Sequence, residues 1–155
     1  MVEELVYKLI DKKLHISFAE SLTGGLCASK IVSIPDASKV LAESYVTYSN
    51  EAKMKILGVK EETINKYSVV SNEVAYEMAL GLHKITKSDI CVSLTGLAGP
   101  LGDEFHEVGA VFIGVYYKNK VITKEYNFGN IGRNIVREMA SDKAIELAFE
   151  VINNA

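Results

Sequence analysis

Tryptophan is missing from this 155-residue chain, and proline, cysteine and histidine number only two, two and three. Each scarcity narrows what the chain can be. Cys27 sits in a helical pattern and Cys91 in an apolar run. Two such cysteines cannot build a disulfide framework or a multi-thiolate metal site, and read as buried thiols of a reducing compartment. His15, His83 and His106 fall in a strand, a helix and a polar loop, so a serine–histidine–carboxylate triad has no evident histidine. The only local group of metal-ligating types, Asp103, Glu104, His106 and Glu107, reads as a solvated acidic loop, and neither a metal nor another cofactor is expected. No G-x-S-x-G elbow, Walker lysine loop or complete G-x-G-x-x-G fingerprint occurs. No apolar run approaches membrane-spanning length, and the opening VEELVYKLIDKK has no apolar signal region, so a cytoplasmic protein with no membrane partner is expected. Charge of one sign is lacking too. The 17 Lys and Arg and 20 Asp and Glu are scattered, with a net charge of −3, unlike the footprint of a nucleic-acid binder.

What is there is a chain 48% hydrophobic, without repeats or linkers, suited to one domain over residues 1–155. Val2, Leu5, Val6, Leu9 and Ile10 form the stripe of an amphipathic helix. LHISFA at 14–19 is a short apolar run that suits a buried strand, and it leads at once into the turn Glu20–Gly25 and a helix from Leu26. Val40 to Tyr48 reads as a β-rich run. Ser49 or Asn50 caps a short helix that Gly58 stops, Lys60 to Tyr67 reads as another, and Ser71 or Asn72 caps a longer one ending near Lys87. Ile90–Leu94 is a second buried strand, followed by the turn Thr95–Gly102. Val108–Tyr117 and Val121–Phe128 predict an antiparallel hairpin linked at Lys118-Asn119, with Gly114 marking a bulge or close packing. A long helix from Ile131 to Ile152 closes the chain. The order predicts an α/β fold: a three-layer α/β/α sandwich around a mixed, mostly parallel sheet ending in an antiparallel hairpin.

Two features bear chemistry. Glycine turns directly after two buried strands, with Ser21, Thr23, Gly24 and Gly25 in one and Thr95, Gly96, Ala98 and Gly99 in the other, can offer N–H groups to an anion at one crevice. An unliganded capped turn has the same sequence. The stretch Pro35–Lys53 carries the reactive groups Ser38, Tyr48 and Lys53. Lys53 stands in the first turn of its helix, where the positive dipole favours a neutral amine able to deprotonate Ser38. A turn-capping Ser38, a half-buried Tyr48 and a solvated Lys53 fit the same spacing.

AESLTGG at 19–25, YSNEAK at 48–53 and TGLAGP at 95–100 resemble the CinA C-terminal-domain family, the nicotinamide-nucleotide amidohydrolases, through nearly the whole chain. The resemblance implies deamidation of nicotinamide mononucleotide to nicotinate mononucleotide and ammonia in pyridine-nucleotide salvage, by a stand-alone domain. It implies Ser38, Tyr48 and Lys53 as catalytic residues, the two glycine turns as substrate-binding walls, and Arg133 as a phosphate partner. A small-molecule nucleotide is the expected substrate and a homo-oligomer the expected assembly. The alternatives are a catalytically silent nucleotide-binding module and an amidase for a different amide. Where the family has a glycine-rich segment with a lysine, residues 101–107 are acidic, and their carboxylates are expected to weaken phosphate binding if they face the site.

Overall fold

The computed structural model describes residues 1–154. Among these residues six α-helices surround a five-stranded sheet of order β2-β1-β3-β4-β5. The chain begins with α1 (Val2–Lys12), whose stripe buries Leu5, Val6 and Leu9, followed by β1 (Ile16–Glu20), buried at every position. α2 (Leu26–Val32), a 3₁₀ turn at Ala37–Lys39, the two-residue β2 (Tyr45–Val46) and α3 (Asn50–Leu57) come next. α4 (Glu61–Tyr67), α5 (Asn72–Thr86), β3 (Ile90–Gly96), β4 (Ala110–Tyr117), β5 (Lys120–Asn127) and α6 (Arg133–Asn153) complete the fold.

β1 pairs in parallel with β2 and β3, while β4 is antiparallel to both β3 and β5. Four strands therefore run one way and β4 the other, as the mixed, mostly parallel reading expects. Side chains alternate across β1. Phe18 enters a core with Leu5, Cys27 and Val136, and Ala19 enters one with Leu57, Val74 and Met78. One face of the sheet thus carries α1, α2 and α6, and the other α3, α4 and α5. The free thiols of Cys27 and Cys91 lie in opposite cores. Among the described residues no helix is long and apolar enough to cross a membrane.

Local chemistry accounts for the element ends. Ser49 Oγ accepts from the Ala52 N–H and Ser71 Oγ from the Val74 N–H, so both expected serine caps form. Lys118 and Asn119 take φ values of 51° and 63°, the doubly left-handed geometry that joins β4 to β5 without splaying them. Gly114 is a close-packing glycine: a Cβ there would lie 2.6 Å from the Ala75 carbonyl and 2.7 Å from Ser93 Oγ. Gly114→Ala is expected to cost on the order of 2 kcal/mol by pushing α5 off the sheet, read as a lowered urea midpoint with an unchanged slope.

The stretch 40–48 departs from expectation. Only Tyr45 and Val46 form a strand; Val40 ends the 3₁₀ turn, buried in the core of α1 and α2, and its carbonyl accepts from the Ile16 N–H. Val40 and Leu41 serve burial on that face, Tyr45 packs in the opposite core and Val46 is exposed, so the run does not act as one continuous strand.

Candidate active site

The C-terminal ends of β1 and β3 lie side by side, and the chain leaving each forms one wall of a cavity of about 240 Å³. Ser21 and Leu22 come from the first exit and Thr95 to Ala98 from the second; Tyr48, Asn50, Lys53, Val69, Val70 and Arg133 complete the lining.

Lys53 is the unusual member. α3 packs against α5, and Lys53 on it is buried to 2% exposure. Its Nζ donates to Ser21 Oγ at 3.2 Å and to the Tyr48 carbonyl at 3.4 Å. Burial lowers its pKa from 10.5 to about 8, because an ammonium loses hydration there that these two neutral oxygens do not replace. The sequence assigned the lowering to the helix dipole; desolvation is its cause.

Ser38 stands elsewhere. It belongs to the exposed 3₁₀ turn whose following carbonyl bonds Ile16 at the start of β1, whereas Ser21 follows the end of that strand. At about 3.3 Å per residue, β1 separates the two by roughly 16 Å. The expected Ser38–Lys53 approach does not form, because the strand meant to carry Ser38 towards Tyr48 is replaced by that turn. The serine beside Lys53 is Ser21, assigned from the sequence to a binding wall. Its signal was its place directly after a buried strand, where open α/β sheets bind ligands.

Tyr48 is 60% exposed at the cavity mouth, and its hydroxyl accepts from Arg133 Nη2 at 3.0 Å. Arg133, at the start of α6, also donates to the Gly99 carbonyl. Among the described residues of the lining only Lys53 and Arg133 are charged, so the cavity is electropositive. Thr95 Oγ1 is turned to the Val69 carbonyl at 2.9 Å, tying the β3 exit to the segment that supplies the apolar wall.

The first glycine turn has another occupation. Glu20, fully buried at the end of β1, accepts from the N–H groups of Gly25 (3.2 Å), Cys27 (2.9 Å) and Ala28 (3.0 Å). Gly25 belongs to the turn where an external anion was expected, and the protein's own carboxylate takes that N–H together with two in the first turn of α2. Arg137 locks the turn from outside, donating to the carbonyls of Leu22 (2.8 Å) and Thr23 (3.1 Å). Thr23, Gly24 and Gly25 therefore hold Ser21 in place without lining the cavity. A lone acidic residue closing an apolar strand was the clue in the sequence.

The acidic loop also turns away. Asp103 accepts from the N–H groups of Phe105 (2.9 Å) and His106 (2.7 Å) and from Ser68 Oγ (3.2 Å), and none of Asp103, Glu104 and Glu107 lines the cavity. Partial burial acts to raise the Asp103 pKa, but those N–H bonds outweigh it and hold the carboxyl below its ordinary value. The expected repulsion of a phosphate has no carboxylate on the cavity wall to supply it.

The sequence matches the CinA C-terminal domain family over residues 1–152. The chain belongs to that family. It is 47% identical to a CinA-like protein of Kosmotoga olearia over 94% of this chain and 35% of the relative, and 44% identical to one of Thermotoga maritima over 94% and 36%. The chain thus spans about a third of the length of these curated relatives. Two crystal structures share its fold. A CinA superfamily protein from Escherichia coli aligns with a TM-score of 0.92 at 31% identity, covering 97% of this chain and 90% of that one. The competence/damage inducible protein CihA from Agrobacterium tumefaciens gives 0.89 at 35%, covering 96% and 94%. Their names mark the CinA family and specify no reaction.

Proposed function

We propose that this CinA-family domain is an amidohydrolase that releases ammonia from the carboxamide of nicotinamide mononucleotide, with Ser21 as nucleophile and Lys53 as base. The observation that carries this reading is the buried lysine whose amine lies 3.2 Å from a serine hydroxyl at the wall of an open cavity. A serine is a weak nucleophile until a neighbouring base takes its proton, and Lys53, lowered to about 8, is neutral in a useful fraction of molecules near neutral pH.

Lys53 accepts the Ser21 proton as Oγ adds to the amide carbon. The ammonium so formed returns the proton to the amide nitrogen, the C–N bond breaks, and ammonia leaves an acyl ester on Ser21. Lys53 then takes a proton from a water that attacks the ester and gives it to the departing Ser21 Oγ, which restores the serine and releases the carboxylic acid, whose proton passes to ammonia. The net change is amide plus water to carboxylate plus ammonium.

Leu22, Val69, Val70, Leu97 and Ala98 offer an apolar surface to a pyridine ring, and Arg133 offers a cation to a phosphate. The cavity is smaller than the ~300–1,000 Å³ that encloses a drug-sized ligand, which suits holding one end of a nucleotide with its tail at the mouth.

Arg133→Met is expected to raise KM for the phosphorylated amide about tenfold or more while leaving that for free nicotinamide within about twofold, since a charge-assisted hydrogen bond is lost only with the former. Steady-state kinetics with both substrates checks this. The reading itself is tested by ammonia release from a panel of pyridine amides with and without ribose phosphate. Turnover of the mononucleotide supports it; turnover only of another amide moves the substrate; none with any amide leaves the silent nucleotide-binding module as the better account.

A further inference from the structure

Thr47 is fully buried, yet its Oγ1 has no hydrogen-bond partner. An unpartnered buried hydroxyl costs free energy, which marks Thr47 Oγ1 as an acceptor free for one of its neighbours. Its position says which. Glu20 pairs with Val46 in the parallel β1–β2 ladder, and the Thr47 N–H donates to the Glu20 carbonyl at 2.9 Å, which sets Thr47 beside Ser21. Alternation then fixes the face. Tyr45 packs with Ala19 in the core of α3 and α5, and Val46 turns to the α2 side, within 3.9 Å of a Cβ built on Gly25. Thr47 returns to the α3 side, as Ser21 does, whose Oγ meets Lys53 Nζ.

A protonated Lys53 has three N–H groups, but its hydrogen bonds reach only two acceptors, Ser21 Oγ and the Tyr48 carbonyl. We propose that Thr47 is a positioning residue whose hydroxyl accepts the third N–H of Lys53 when the amine becomes an ammonium. This rests on Lys53 being the base of the proposed reaction. In each half of that reaction Lys53 holds a proton while charge develops on the substrate, and a third acceptor both stabilises that ammonium and aims it at the leaving nitrogen. The other ionisable groups nearby are Tyr48 and Arg133 at the mouth, Glu20 on β1, committed to the α2 N–H groups, and Glu77 on α5, committed to Thr63 and the Lys60 N–H. None enters the perturbation of Lys53, whose cause is burial.

The test is a titration of Lys53 by NMR of its side-chain nitrogen and adjacent carbon in the wild type, Thr47→Val and Thr47→Ser, alongside the pH dependence of kcat. Loss of an acceptor disfavours the ammonium, so Thr47→Val should move the midpoint down from about 8 by roughly one pH unit, while Thr47→Ser keeps it. kcat should fall about tenfold or more in Thr47→Val and recover in Thr47→Ser. Equal midpoints in wild type and Thr47→Val, or equal shifts in both variants, overturn the proposal. Thr47→Ala is the second hydroxyl-free variant should Thr47→Val not fold. A wild type that hydrolyses no amide would refute the proposed function, and the titration would still decide the role of Thr47.

Discussion

Ser21→Ala and Lys53→Ala are each expected to lower kcat for amide hydrolysis by at least ~10³-fold, with the double variant little worse than either, because a nucleophile and its base act as one unit. Ser38→Ala should stay within about twofold of the wild type, since Ser38 lies at the other end of β1 on an exposed turn. Single-turnover rates on the four variants check this. The comparison is sharp because the two serines make opposite predictions. Losses that multiply in the Ser21, Lys53 double variant would show that the residues act separately. The same pair sets the pH profile. Lys53 must be neutral to begin, so kcat/KM should climb to a plateau above about pH 8.

Lys53→Met should remove that activity and raise stability. A pKa lowered from 10.5 to about 8 means that folding disfavours the charged amine, at a cost on the order of 3 kcal/mol at pH 7, where the lysine is protonated in both states. Between about pH 8 and 10.5 the unfolded chain holds a proton that the folded one has released, so wild-type stability rises with pH across that window and is flat with respect to this group below it. Methionine fills similar space without the charge and has no such window. Urea denaturation at pH 7 and pH 10 should therefore show the variant more stable than the wild type at pH 7 and the gap narrowed at pH 10. A destabilised variant at pH 7 would mean that the hydrogen bonds to Ser21 and Tyr48 outweigh desolvation.

The parts of the fold legible in the sequence are those that local chemistry decides. The Leu5, Val6, Leu9 stripe and the Lys118-Asn119 link declare themselves within a few residues, whereas the structure decides the caps as Ser49 rather than Asn50 and Ser71 rather than Asn72, and Gly114 as close packing rather than a bulge. The expectation that two glycine turns face one crevice follows from strand direction, and the cavity lies between those strand ends. Pairing between distant segments was not legible. Val40 and Val46 look alike in a β-rich run, but one is buried beside the start of β1 and the other lies at its end. Which serine meets Lys53 depends on that register, and no local pattern carries it. The turn at Ser21–Gly25 does read as an anion seat; only the fold shows that Glu20 reaches back to fill it.

The central claim is that Ser21 is the nucleophile. The most direct test is to quench the wild type during turnover of nicotinamide mononucleotide and locate the acyl group by peptide mass spectrometry, using a slow substrate or low pH to accumulate it. The account predicts a nicotinate ester on Ser21, absent from Ser21→Ala. An acyl group on Ser38, or continued ammonia release by Ser21→Ala, would contradict it.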